Sequence, residues 1–202
     1  MYIPRHFKEE NDDLLLGFIR KHPFATLITT HSNGAEANHL PLYLTTSNAG
    51  NAILQGHIAA ANPIWKTANQ QQVLVIFQGS NAYISPNWYP TKAIDGKAVP
   101  TWNYEAVHIR GKVTFIHDSD WKMQLLNDLT AEHEQHFKQP WTIADAPEEF
   151  IRKLLPAIVG FEITLDDIQG KFKLSQNQPE ENKQGIAANL SNQGDPLADL
   201  IL

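Results

Sequence analysis

The stretch Gly56–Lys66, GHIAAANPIWK, is where the interpretation of this chain begins. The apolar residues just before it predict a strand that ends at His57. Asn62 and Pro63 then predict the start of a helix, because Asn is a favoured N-cap and Pro fits the first helical turn. The free N–H groups at a helix N-terminus suit an anion such as a phosphate, with His57 and Lys66 as further donors. A plain strand-to-helix junction is the competing interpretation, and on these residues alone it is the favoured one.

The composition indicates a globular protein without a strong electrostatic bias. Of the 202 residues, 42% are apolar and 19% charged, which is ordinary for one compact domain. The net charge of −6 argues against broad attraction to nucleic acid or anionic lipid. The absence of cysteine excludes disulfides, thiolate catalysis and cysteine metal sites. The opening MYIPRHFKEE lacks a signal-peptide pattern, and no apolar run approaches the ~20 residues of a membrane span, so a soluble cytoplasmic protein is predicted.

Alternating apolar residues and turn signals predict many short strands interrupted by helices. The turn Ser32-Asn33-Gly34 predicts a hairpin. In its second arm, Leu40, Leu42 and Leu44 share the inward face, and Pro41 places that arm at a sheet edge or bulge. The predicted strands are 24–30, 35–44, 52–57, 73–77, 82–85, 99–113, 157–165 and 168–177, and helices are predicted from Asp12 or Asp13, after Asn62, from Asp118 or Ser119 through Phe137, from Pro147, and around Ile186. This pattern predicts a mainly β, α+β fold: a small β-barrel with helical additions.

Motifs for metal or hydrolytic catalysis are missing. The segment Glu132–His136 places its histidines at i and i+3, whereas the zincin motif needs them at i and i+4. No G-x-S-x-G elbow, phosphate-binding P-loop or dinucleotide fingerprint occurs. We therefore assign no catalytic residue and predict no metal site.

A set of phosphate-capable and ring-stacking residues remains. Cations hold phosphates, aromatic side chains stack on flat rings, and amides or hydroxyls bond to ring edges. Such a set suits a ligand with a phosphate tail and a heteroaromatic ring, although a structural role is the more frequent explanation for each residue alone. Its members are Asn62, Lys66, Trp102, Asn103, Lys173, Ser175 and Gln176.

Several long blocks of the sequence closely resemble, in order, the signature blocks of the PaiB-type proteins, described as FMN-binding negative transcriptional regulators. The blocks are MYIPRHF, EANHLPLYL, GHIAAANPIWK, VLVIFQGSNAYISPNWY, VPTWNYEAVHIRGKV and GFEITLDDIQGKFKLSQN. The resemblance implies a split β-barrel of the flavin-reductase and pyridoxamine-phosphate-oxidase kind. It also implies a homodimer with FMN at the subunit interface, and repression of genes for sporulation and extracellular proteases.

With this resemblance, residues 1–178 are expected to form the split-barrel FMN-binding domain, and 179–202 a C-terminal helical extension that packs on the barrel or on the partner subunit. The expected cofactor-binding residues are His39, His57, Asn62, Lys66, Trp102, Asn103, Lys173, Ser175 and Gln176. Three alternatives stay open: a flavin-dependent oxidoreductase with a nicotinamide donor, a DNA-binding repressor with a vestigial or sensory flavin pocket, and a flavin-less interaction protein. DNA binding has little support, because no helix-turn-helix is evident and the basic residues are scattered. No membrane partner is expected.

Overall fold

The computed structural model describes residues 1–202, which form two compact units. The terminal unit comprises Met1–Phe18, Phe77–His108 and Gln169–Leu202. The central unit comprises Ile19–Ile76 and Ile109–Ile168. No helix in the structure combines the length and apolar character needed to cross a membrane.

Nine strands, six α-helices and five short 3-10 helices make up the regular structure. The strands are β1 (Lys8–Glu9), β2 (Phe24–His31), β3 (Gly34–Pro41), β4 (Tyr43–Thr46), β5 (Ala52–Ala59), β6 (Gln72–Ile84), β7 (Thr101–Ile116), β8 (Ile158–Thr164) and β9 (Asp167–Lys173). The helices are α1 (Asp12–Lys21), α2 (Ile64–Thr67), α3 (Lys92–Asp95), α4 (Ser119–Glu134), α5 (Glu148–Leu154) and α6 (Glu180–Asn192). This composition of elements agrees with the predicted α+β class.

The strands pair in the order β3-β2-β6-β7-β8-β5-β4, while β9 pairs with β7 and with β1. The predicted hairpin is confirmed, since β2 and β3 pair antiparallel from His31↔Gly34 to Phe24↔Pro41. β3 lies at one end of the strand order, as Pro41 predicts, because a proline has no N–H to donate to a further strand. Leu40, Leu42 and Leu44 are all buried, which confirms the inward face.

Most strands shift by a few residues at their ends, and β9 ends at Lys173, four residues before the predicted end of that strand. Two differences are larger. The predicted strands 73–77 and 82–85 form one continuous strand, β6, although the Gly79-Ser80-Asn81 segment between them is typical of a turn. A Cβ on Gly79 would lie 2.9 Å from a ring carbon of Phe18, so this glycine permits close packing and not a turn. The second arm of the hairpin is interrupted at Leu42, whose N–H donates to the Pro23 carbonyl at 2.9 Å.

Two helices, α4 and α5, are shorter or less buried than the sequence patterns predict, and a third, α2, is very short. α4 begins where predicted, with the Asp118 carboxylate accepting the Trp121 N–H at 2.7 Å, but it ends at Glu134 and leaves Phe137 62% exposed. α5 exposes both Phe150 and Leu154. The helix after Asn62-Pro63 is a single turn of four residues, α2, so it carries little of the macrodipole that aligned peptide units accumulate.

In the terminal unit, the last residues of the chain pack against the end of β6. The predicted stripe of α6 is buried at Ile186 and Leu190. The cluster consists of Ala82, Ile84, Tyr89, Ile186, Ala187, Leu190, Leu197 and Ile201. The predicted boundary between residues 178 and 179 stays a prediction.

Candidate functional site

The loop between β5 and α2 is held by side-chain hydrogen bonds to its own backbone. The indole Nε1 of Trp65 donates to the Ala60 carbonyl at 3.0 Å. The helix begins one residue later than predicted, with Pro63 and not Asn62 at the N-cap position. The Asn62 Oδ1 nevertheless accepts the Ile64 N–H at 3.1 Å. Ile64 is fully buried beneath the turn. These contacts fix the loop that carries Asn62, between His57 on β5 and Lys66 on α2.

The amide of Asn62 also fixes the amide of Asn38 on β3. Because the Asn62 Oδ1 faces the Ile64 N–H, its Nδ2 points away and donates to Asn38 Oδ1 at 2.6 Å. Asn38 must therefore direct its own Nδ2 elsewhere, and that group is buried without a hydrogen-bond partner. Reversing either amide, or both, would bring two N–H groups face to face, so the hydrogen-bond network determines the orientation. A buried donor without a partner is costly, and here it is unavoidable.

A second unpartnered polar atom lies on β5, where the Nδ1 atom of His57 is buried without a hydrogen-bond partner. Burial lowers the pKa of His57, because the charged imidazolium loses hydration there. The ring is therefore neutral at pH 7, and it offers one N–H donor and one bare nitrogen acceptor. His57 and Asn38 are the two residues whose buried side-chain polar atoms lack a partner in the structure.

Lys66 is the cation next to this loop, on α2, and it is exposed. Its ammonium lies 5.0 Å from the centre of the Trp65 ring, within cation–π range. The Trp65 ring also meets the His117 ring edge-on, at 5.0 Å between centroids. The contact with the Trp65 ring uses none of the N–H donors of the Lys66 ammonium in a conventional hydrogen bond. These donors therefore stay available for an anion.

His39 is placed apart from these atoms. It is exposed on β3, on the face opposite Asn38, and its Nδ1 lies 3.0 Å from the Thr26 hydroxyl. Beside α2, a cleft of about 410 Å³ is lined entirely by polar side chains: Thr30, His31, Ser32, Thr67 and Gln71. No group of three or more His, Asp or Glu side chains that would hold a metal ion occurs.

The remaining predicted residues lie together in the terminal unit. Lys173 donates to the Thr101 hydroxyl and, at 2.6 Å, to the Trp102 carbonyl. Burial, and secondly the charge of Lys171, lowers the pKa of Lys173. Trp102 is 54% exposed and meets Tyr83 edge-on at 5.9 Å between ring centroids.

Asn103 and Ser175 are both buried and bond to each other, with 2.9 Å from Asn103 Nδ2 to Ser175 Oγ. Ser175 has φ +65°, a left-handed conformation that is uncommon for residues other than glycine. Gln176 closes the same turn, donating from Nε2 to the Phe172 carbonyl and accepting the Leu174 N–H. The polar groups of these three residues are thus used within the chain, and their assignment to a cofactor stays a prediction.

Asn38 is the residue that the sequence-based assignment misses. The alternation of Leu40, Leu42 and Leu44 already places Asn38 on the inward face of β3, opposite the fully buried Leu27. A lone amide on a core-facing strand position is the available signal. The resemblance of the block EANHLPLYL points instead to its neighbour, His39.

The fold resembles that of solved flavin-binding proteins. The flavocytochrome Anf3 of Azotobacter vinelandii matches with a TM-score of 0.61 and 11% identity, over 90% of this chain and 77% of that chain. The FAD- and heme-binding protein of Mycobacterium smegmatis matches with a TM-score of 0.61 and 15% identity, over 90% of this chain and 80% of that chain. At these identities the likeness concerns the fold, and the predicted split β-barrel is confirmed.

Sequence comparison connects the chain to a named relative. It is 36% identical over 199 residues to the "Protease synthase and sporulation protein PAI 2" of Bacillus subtilis (strain 168), covering 98% of this chain and 93% of the relative. The resemblance to the PaiB-type proteins is thereby confirmed. The model of the family described as "Putative FMN-binding domain" matches residues 1–167, and the chain belongs to this family.

Proposed function

We propose that this protein binds FMN through the segment from β5 to α2 and through the neighbouring strand β3. The residues that we assign to the contact are Asn38, His57, Asn62 and Lys66. The observation that carries the proposal is the buried Asn38 Nδ2, which the Asn62 amide forces into a position without a partner. A ligand oxygen at this position would remove the cost of the unpaired donor.

The chemistry of FMN suits these side chains. Its phosphate, hydroxyl and ring carbonyl oxygens accept hydrogen bonds from an amide donor and from an ammonium group. The neutral His57 ring can donate to such an oxygen or accept a hydroxyl proton. When bound, a flavin supplies electron and hydride transfer, so the protein itself needs to provide position and electrostatics only.

The test is a titration of the purified protein with FMN, followed by flavin fluorescence, with Asn38→Asp as the main variant. This substitution keeps the acceptor for the Asn62 amide but removes the donor, so we expect folding to be retained and FMN affinity to fall by about tenfold or more, equivalent to about 1.4 kcal/mol. The matched control is Asn33→Asp, which adds the same charge at the exposed tip of the same hairpin. If the wild-type protein does not bind FMN, or if Asn38→Asp and Asn33→Asp bind FMN with equal affinity, the assignment is overturned.

Lys66→Ala tests the phosphate contact. Loss of a charge-assisted hydrogen bond to phosphate would weaken FMN binding by about 1–3 kcal/mol. Lys112→Ala, which removes an exposed lysine of β7, is the control. The same titration on Lys173→Ala decides whether the predicted residues of the terminal unit also contact the flavin.

We further propose that the protein is a cytoplasmic homodimer, as the resemblance to the PaiB-type proteins implies. The exposed residues of the β2 face include Phe24, an aromatic side chain 67% exposed, which is a typical component of a contact between subunits. Light scattering should give twice the chain mass of 22.7 kDa. A particle of the chain mass at working concentration would contradict the dimer.

For the biological role, we propose negative regulation of transcription. Its support is the relative from Bacillus subtilis, whose name concerns protease synthesis and sporulation. If regulation is direct, binding to promoter DNA must weaken steeply with salt, because phosphate contacts release counterions. The net charge of −6 makes such contacts depend on local basic groups. If the protein does not shift the electrophoretic mobility of promoter fragments, or if the shift does not depend on salt, direct repression is excluded.

A further inference from the structure

A cavity of about 280 Å³ lies between β4 and the C-terminal ends of α1 and α4. All of its lining residues belong to the central unit, so the cavity is complete within that unit. None of them is among the residues assigned to the flavin. The lining consists of residues 42–46, Arg20, Pro23, Leu129, Glu132 and His133.

The cavity runs along the free edge of β4. Five consecutive residues, 42–46, line it, whereas the face of a sheet would contribute alternate residues of the strand. β4 is the last strand in the order and lies beside β5, so its other edge has no strand partner. Such an edge presents backbone N–H donors and C=O acceptors next to each other. The main chain therefore offers the cavity both a donor and an acceptor.

Two opposite charges line the cavity without meeting. Arg20 is exposed in the last turn of α1, and Glu132 is exposed near the end of α4. Neither the guanidinium of Arg20 nor the carboxylate of Glu132 takes part in an ion pair or a hydrogen bond within the chain. The C-terminal end of α4 carries the negative pole of the helix dipole, which adds to the charge of Glu132. The α4 side of the cavity therefore suits an ammonium group, and the α1 side a carboxylate, which arginine binds through two parallel hydrogen bonds.

The third component of the cavity is apolar. Leu42, Leu44 and Leu129 are buried, and each exposes at most 7% of its surface. The backbone at Leu42 is held in place, because its N–H donates to the Pro23 carbonyl at 2.9 Å. An aliphatic group in contact with these side chains would leave water, which is favourable, whereas a charged group would lose hydration there.

We propose that this cavity binds a free aliphatic α-amino acid, such as leucine. The Arg20 guanidinium binds the carboxylate of the ligand, the Glu132 carboxylate binds its ammonium group, and the apolar part of the lining contacts its side chain. The backbone donor and acceptor of the β4 edge suit the same two groups, because an α-amino acid carries both on one carbon. The opposite charges of Arg20 and Glu132 favour a zwitterion over a simple anion. The volume lies just below the about 300–1,000 Å³ typical of pockets for drug-sized ligands, so the occupant is smaller than a nucleotide or a peptide.

Isothermal titration calorimetry with L-leucine tests the inference. Three probes each lack one part of leucine: isocaproate lacks the ammonium group, isoamylamine lacks the carboxylate, and glycine lacks the aliphatic side chain. We expect leucine to bind and each probe to bind at least about tenfold more weakly, since each loses one set of contacts.

Arg20→Gln and Glu132→Gln assign the two charged contacts. Both side chains are exposed and have no partner within the chain, so folding should be retained. Each substitution should weaken leucine binding by about tenfold. Glu132→Gln should leave the affinity for isocaproate unchanged, and Arg20→Gln should leave the affinity for isoamylamine unchanged. The matched controls are Arg110→Gln and Glu149→Gln, at exposed positions of the central unit outside the cavity, and neither should change leucine binding.

Absence of leucine binding, or equal losses in the control variants, would overturn the inference. Isocaproate that binds as tightly as leucine would also overturn it, because the ammonium group would then have no contact. The leucine titration is repeated on protein saturated with FMN, where the affinity should be the same. Mutual exclusion of the two ligands would show that the cavity belongs to the flavin site, and this too would overturn the inference. Leucine binding does not depend on whether the protein binds FMN, so the two proposals can fail separately.

Discussion

At the scale of single residues, the amide pair of Asn38 and Asn62 shows which part of the site a sequence can reveal. That a helix begins close to Asn62 follows from the Asn-Pro pair, because both residues have well-defined preferences at a helix start, although Pro63 and not Asn62 occupies the N-cap position. The unpaired Asn38 donor does not follow from any pattern. It arises because the Ile64 N–H occupies one end of the Asn62 amide, and such a chain of hydrogen bonds exists only once β3 and the loop are folded.

Asn62→Asp is the substitution that tests this chain. The carboxylate that it introduces accepts from both Ile64 and Asn38, so the Asn38 amide is expected to turn and use its donor within the protein. The melting temperature of the ligand-free protein should not fall, because a charge-assisted hydrogen bond of about 1.5–3 kcal/mol offsets the burial of the charge. FMN affinity should fall by about tenfold or more, since the donor facing the ligand is lost.

The measurement is thermal unfolding without ligand together with the FMN titration. Asn33→Asp controls for the added charge. Unchanged FMN affinity in Asn62→Asp would show that the Asn38 donor does not contact the flavin.

At the scale of elements, strand alternation predicts the hairpin, the inward leucines and most strand positions. The sequence pattern fails at β6, because Gly79-Ser80-Asn81 is typical of a turn. In the structure Gly79 lies within a continuous strand, where its missing side chain lets the backbone pack against Phe18. The Asn62-Pro63 signal marks where α2 starts, but it does not say where α2 ends. A single turn contributes little helical stability of its own, so its extent is decided by the burial of Ile64 and by the Trp65 hydrogen bond.

Glycine substitutions in two elements should have opposite effects. A Cβ on Gly111 of β7 would lie 1.6 Å from the Thr164 carbonyl oxygen, so Gly111→Ala must move the backbone of β8 and should destabilise the protein by about 1–3 kcal/mol or more. Gly17 of α1 has no atom within 4 Å of its Cβ position, so Gly17→Ala should stabilise by about 0.5–1 kcal/mol through helix propensity. Urea unfolding measures both. Equal effects of the two substitutions would contradict the close approach of β7 and β8.

At the scale of the whole molecule, composition and length predict a globular protein and exclude cysteine chemistry. They do not predict the division into a terminal and a central unit, because each unit collects segments that are distant in the sequence. The nine predicted cofactor-binding residues are likewise divided between the two units. Four belong to the central unit and five to the terminal unit, although all are residue types that suit the same kind of ligand.

The pH dependence of stability should reflect two histidines that the fold partly removes from water. Burial is the main cause that lowers the pKa of both His57 and His22, while the unfolded chain keeps the ordinary value of 6.5. Below that pH the unfolded state binds more protons than the folded state, so the free energy of unfolding should fall as the pH drops below 6.5. At more acid pH, Asp166 adds to the loss, because hydrogen bonds from Gln72 and then Thr164 lower its pKa.

Urea unfolding at a series of pH values measures this dependence. His57→Asn and His22→Asn should each flatten the curve below pH 6.5, where the unfolded histidine gains its proton. His136→Asn, at an exposed position, is the control. If the free energy of unfolding of the wild-type protein stays constant from neutral pH down to the pH at which carboxylates gain protons, the burial of His57 is contradicted.

The Asn62-Pro63 pair has a further consequence, which concerns the lifetime of the protein. Asparagine deamidates spontaneously when the backbone nitrogen of the next residue loses its proton and attacks the side-chain amide, and the ring that forms opens to aspartate. Proline has no backbone N–H, so this route is closed at Asn62. Conversion of Asn62 to aspartate would give the Asn38 donor an acceptor within the protein. Pro63 therefore protects Asn62 from that conversion. We expect Pro63 to preserve the ligand-facing amide as the protein ages.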